Sequence, residues 1–227
     1  YCHTFGLPDL YDTDYDEAGG WAAGLWGSTS IMDSGNRNNN GNTPPDFNAI
    51  EREILGLSAP VIILDDGSYT LDPISRSGKY YRIDGREDDE YFLIECRSND
   101  GWDAHIGGSG MLVYHVEKNK SGAWKQNKVN VNPDYQHADL IEADGREDNL
   151  TPNNYFQSIQ NISSIFFPYA NVTELTPDSD PGINFWRGGA VDTRITDIEY
   201  KDGVVTFVVS GLKGEAPPTP KNLKADP

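Results

Sequence analysis

The chain has 227 residues, 37% of them hydrophobic, with 36 acidic side chains against 18 basic ones and a formal net charge of −18. That length and composition suit a globular protein of one large domain or two small ones, and no apolar run reaches the ~20 residues of a membrane span. The acidity excludes nucleic acid as the expected partner, because a phosphate backbone would be repelled, and it fits an exported protein, a calcium binder or plain solubility.

The first twelve residues carry the most chemistry. His3, Gly6 and Asp9 form the pattern H-x-x-G-x-x-D. Residues 1–5 are expected to be the end of a helix. Gly6 can take a positive φ and break that helix. Pro8 cannot continue it. Asp9 can then turn back toward the metal that His3 would hold, and a carboxylate oxygen is an acceptable zinc ligand beside an imidazole. Farther on, Ser30-Ile31-Met32-Asp33-Ser34-Gly35 sets a methionine in a turn bounded by Ser and Gly. The plain alternative is an ordinary surface or core histidine. Cys2 and Cys96 specify no disulfide framework and read as free, buried thiols.

Asp9, Asp12, Asp14, Asp16 and Glu17 crowd a short loop that ends at Gly19-Gly20. Such a density of oxygens could hold calcium, with Asp12, Asp14 and Asp16 as ligands, although the spacing fits no EF-hand loop. A polar loop folded by Asx-turns is the alternative. Trp21 and Trp26 either shape a pocket or belong to the core. Residues 35–45 read as a polar loop without periodicity. Asp46 is the expected N-cap of a helix with Phe47, Ile50, Ile54 and Leu55 on one face, Glu51, Arg52 and Glu53 toward solvent, and Gly56 at its end. A boundary is expected near residue 57.

Strand patterns follow over 60–64, 68–71, 79–83, 90–96 and 111–116. The runs 195–200 and 204–209 flank Lys201-Asp202-Gly203 and read as a hairpin. Strands with turn signals between them argue an antiparallel β-sandwich. His115 lies in a strand and reads as a satisfied structural histidine. His137 has no second ligand at metal spacing, and His105 sits in a Gly-rich loop that could line a cleft. Glu95, Arg97, Asp139 and Glu142 suggest buried ion pairs or a calcium site.

The run Gly6-Leu7-Pro8-Asp9-Leu10-Tyr11-Asp12, with His3 before it and the methionine turn after it, resembles the immune inhibitor A-like secreted metallopeptidases, whose metzincin-type motif reads H-E-x-x-H-x-x-G-L-P-D-x-Y-D. Glu90 to Arg97 is similar to that family's E-Y-F-L-x-E-N-R, with Cys96 in place of Asn. Tyr114-His115-Val116 and the run Asp139 to Gly145 also match, so the resemblance covers most of residues 1–210. It implies an α+β fold: a C-terminal remnant of a catalytic domain over 1–57, an antiparallel β-sandwich-like domain over 58–210, and a Pro-rich linker over 211–227 leading toward a fibronectin type III domain. It implies zinc held by His3, Asp9 and a histidine expected before residue 1, with the general-base glutamate also expected there. Met32 would support the site, and Tyr11 is a conceivable oxyanion donor. The implied parent is a secreted or cell-surface bacterial endopeptidase acting on protein or peptide, with no obligate partner, and this chain alone is expected to be inactive. The alternatives are a non-catalytic β-sandwich module binding peptide, glycan or calcium, and a degenerate peptidase kept as a scaffold.

Overall fold

The computed structural model describes residues 2–15, 17, 19–87, 89–118, 122–145, 163–187 and 191–212. Asp16 and residues 213–227, most of the expected linker and the start of the fibronectin-like stretch, lie outside the described residues.

The fold is α+β, built mostly of strands with few helices. The strands are β1 (Val61–Ile62), β2 (Gly67–Leu71), β3 (Tyr81–Asp84), β4 (Glu90–Arg97), β5 (Gly110–Glu117), β6 (Ala138–Ile141), β7 (Arg194–Lys201) and β8 (Val204–Ser210). They form a five-stranded sheet of order β1-β3-β4-β5-β6 and a three-stranded sheet of order β2-β8-β7. All pairs are antiparallel except β1 with β3, which run parallel. The sheets are therefore not wholly antiparallel, as the strand pattern had suggested. β1 and β2 are consecutive yet enter different sheets, so the Asp-Asp-Gly stretch between them is a crossover and not a hairpin turn.

β4 and β5 are buried along their whole length, which only a strand covered on both faces can be. Alternation divides their side chains. Leu93, Leu112, Tyr114 and Val116 face a core completed by Leu7, Leu10, Trp26, Met32 and Ile50. Phe92, Ile94, Cys96, Met111 and Val113 face a second core closed by Leu71, Ile195, Val205, Phe207 and Val209 of the smaller sheet. Residues on both sides of position 57 thus share the first core. In β7, Asp197 takes a φ of 51° at a register shift between Thr196 and Glu199. This bulge brings both Ile195 and Ile198 inward although they are three residues apart. The β7–β8 turn has Asp202 at φ 53° and Gly203 at φ 83°, the two left-handed residues of a type I′ turn.

The helix spans Ala49–Leu55 and closes at Gly56, whose φ of 65° makes it the left-handed cap. Its N-cap is Asn48 and not Asp46. The capping box is reciprocal: Asn48 accepts the Glu51 amide and Glu51 accepts the Asn48 amide, both at 2.9 Å. Glu51 is completely buried, against the expectation that it faces solvent. No described helix is long and apolar enough to cross a membrane.

Candidate metal centre

Residues Cys2–Phe5 form a 3-10 turn rather than the end of an α-helix. Gly6, at φ 92°, ends it with its amide on the His3 carbonyl at 3.0 Å. The chain then doubles back, and the His3 Nδ1 meets the Leu7 carbonyl at 2.9 Å. A carbonyl oxygen only accepts, so Nδ1 carries a proton. The ring's Nε2 faces Asp9 Oδ1 at 3.3 Å. His3 is 60% exposed and Asp9 16%, so the pair lies at the surface with the carboxylate on the inner side.

Asp9 is held from a distant part of the chain. Its amide donates to Asn127 Oδ1 at 2.6 Å, and its Oδ2 accepts from Asn127 Nδ2 at 2.7 Å. Thr13 Oγ1 donates to the Asn127 carbonyl at 2.9 Å. The methionine turn joins this segment at Leu10. Gly35 donates to the Ser30 carbonyl at 2.9 Å, and the Met32 carbonyl accepts the amide of Leu10, the residue after Asp9, at 2.9 Å. Met32 is buried in the core with Leu10. His3 and Asp9 are therefore in contact, and the methionine turn is bonded to Leu10, the residue after Asp9.

The turn is tied down by a residue whose role the sequence reading missed. Glu51 Oε1 accepts Ser30 Oγ at 2.6 Å and the Met32 amide at 3.0 Å. Burial pushes its carboxyl up to about 7 despite these donors. Asp33, next to Met32, is likewise raised by burial to about 7, and its Oδ2 accepts the Leu25 amide at 3.1 Å. The legible signal for Glu51 was Asn48-x-x-Glu51, a capping-box spacing.

Tyr11 is half-buried, and burial, followed by the charge of Asp9, raises its phenol above the ordinary value. It stays a protonated donor. Asp12 is buried and uses both oxygens on the backbone, Oδ1 on the Asp14 and Tyr15 amides and Oδ2 on the Ala22 amide, at 3.0–3.1 Å. This is the Asx-turn arrangement, and burial raises the carboxyl to about 6. Among the described residues, no group of three or more His, Cys, Asp or Glu converges as metal ligands.

Trp26 is a core residue whose indole nitrogen donates to Glu142, and Trp21 is half-buried against the Tyr15 ring. His115 is buried with Nε2 on Glu90 at 2.8 Å, His137 bonds Glu117 at 2.6 Å, and His105 is exposed. Arg97 is buried between Glu95 and Asp103, at 3.1 and 2.5 Å. The cysteines are free, Cys96 buried and Cys2 only half-buried. A cleft of about 670 Å³ opens beside His3, walled by Leu7, Pro8, Ile54 and Trp124 with Lys118 and Lys125; this lies within the size range of small-ligand pockets. No protein-family model, curated protein or solved structure matches this chain.

Proposed function

We propose that this chain carries half of the zinc site of a secreted metalloendopeptidase of the immune inhibitor A type, with His3 and Asp9 as metal ligands and protein or peptide as substrate. The observation that supports this reading is the approach of an imidazole nitrogen to a carboxylate oxygen. His3 Nε2 and Asp9 Oδ1 point at each other at 3.3 Å, while Nδ1 is committed to the Leu7 carbonyl. Such a contact is bridged either by a proton, as in a plain His–Asp pair, or by a cation. Two ligands each ~2.1 Å from a tetrahedral zinc stand about 3.4 Å apart, so the pair fits one metal ion. The Nδ1–H bond to a carbonyl is also the usual support of a metal-binding imidazole.

Zinc held there supplies Lewis acidity and an activated water. The chain's own residues do the rest of what it can do. The Leu7 carbonyl orients the imidazole through Nδ1, the Met32 carbonyl holds the Leu10 amide next to Asp9, and Tyr11 would be the oxyanion donor. The cleft beside His3 would take the peptide. A third ligand and a general base are still required, and the family motif expects both just before His3. The protein is accordingly proposed to be extracellular.

Calorimetric zinc titration combined with a casein assay tests the reading. Weak one-to-one binding, abolished by His3→Ala and by Asp9→Ala, without casein hydrolysis, is expected. No binding, or binding that survives both substitutions, would overturn the metal reading and leave a plain His–Asp contact. Tight binding with hydrolysis would overturn the half-site.

A further inference from the structure

We infer that Asn127 is a positioning residue for Asp9, selecting which carboxylate oxygen faces His3; this rests on the reading of His3 and Asp9 as metal ligands. Its side-chain amide meets Asp9 twice, with Oδ1 on the Asp9 amide at 2.6 Å and Nδ2 on Asp9 Oδ2 at 2.7 Å. The backbone N–H can only donate and the carboxylate only accept, so the orientation of the Asn127 amide is fixed by its partners. Once Oδ2 is engaged, Oδ1 alone is left toward His3. The carboxylate cannot rotate, nor offer both oxygens, without breaking a charge-assisted hydrogen bond.

Asn127 is itself held for this contact. Its φ of 57° is left-handed, a conformation that Asn tolerates better than most side chains. The turn around it is closed by the Gln126 amide on the Gly122 carbonyl and the Lys128 amide on the Ala123 carbonyl, both at 2.9 Å. Three residues on, Asn130 Nδ2 donates to the Leu10 carbonyl at 2.9 Å and to the Ala138 carbonyl at 2.8 Å. The segment between β5 and β6 therefore grips residues 9–13 at Asp9, Leu10 and Thr13. Through it the strand-rich part of the chain sets the geometry of the proposed ligand. Partners of this kind outside the ligand set commonly govern metal affinity by about 10- to 100-fold.

Asn127→Gly isolates the role. Glycine accepts the positive φ without strain and keeps the carbonyl that Thr13 uses, so only the side-chain clamp is lost. In ¹H–¹⁵N NMR titrations of the 227-residue chain with zinc, the variant is expected to stay folded and to bind zinc about 10- to 100-fold more weakly, with the Asp9 amide resonance moved before metal is added. Asn127→Asp is the second variant. It keeps the acceptor for the Asp9 amide but turns a carboxylate oxygen on Asp9 Oδ2, and the loss is expected to be at least as large. Unchanged zinc affinity in a folded variant of either kind overturns the positioning role alone. A wild-type chain whose His3 and Asp9 resonances do not respond to zinc overturns the metal reading and this role with it.

Discussion

Glu51 Oε1 receives the Met32 amide at 3.0 Å, so a helix residue holds the turn that in turn holds Asp9 through Leu10. Glu51 also takes Ser30 Oγ and the Asn48 amide. Glu51→Ala leaves two buried donors, Ser30 Oγ and the Asn48 amide, without that acceptor, while the Met32 amide keeps Ser30 Oγ at 3.1 Å, and it removes the Glu51 half of the capping box. At about 1–3 kcal/mol for a buried unsatisfied group, the expected loss is about 3 kcal/mol. Urea denaturation monitored by tryptophan fluorescence measures it.

Two buried carboxyls give the fold a pH dependence of defined sign. Glu51 and Asp33 are both raised by burial to about 7. Each then binds more protons folded than unfolded across the interval from its ordinary value, near 4, up to 7. Their contribution to stability is present in acid and is lost as pH rises through 7. Comparing thermal midpoints between pH 5 and 8, Glu51→Gln is expected to flatten the decline relative to wild type. An equal decline in both proteins would count against the protonated Glu51.

Gly35 closes the methionine turn where no side chain fits. A Cβ there would lie 2.4 Å from the Ser30 carbonyl oxygen and 2.7 Å from Pro45 Cγ. Gly35→Ala is expected to destabilise by about 1–3 kcal/mol, the range for overpacking a tight site, and to shift the Met32 resonances in NMR spectra.

Arg97, fully buried, bridges Glu95 and Asp103 and also donates to the Thr29 and Asp46 carbonyls. Arg97→Met leaves two carboxylates buried without their cation. Removing one partner of such a pair costs about 3–5 kcal/mol, and chemical denaturation is expected to show a loss of that size.

The local signals of this fold were legible because they depend on neighbours in sequence. Gly6 had to reverse the chain after His3, the Asp202-Gly203 pair had to form a primed turn, and the apolar runs of β4 and β5 had to be strands. What could not be read were choices made by distant packing. Nothing near Asn127 announces that it bonds Asp9, 118 residues away. β1 and β2 carry no local mark that they join different sheets. Glu51 looked solvent-facing because a charged residue on a short helix usually is, and only the burial of Ser30 and Met32 against it makes the interior its place. Asp46 resembled a cap by residue type, but its carboxylate instead binds Arg52 at 2.8 Å, and Asn48 two residues later holds the box.

The most direct test of the central claim is anomalous diffraction at the zinc edge from crystals of this chain grown with zinc. One peak is expected, within bonding distance of both His3 Nε2 and Asp9 Oδ1, with Asn127 still on Oδ2. Zinc found elsewhere, or His3 and Asp9 turned apart around an empty gap, would contradict it.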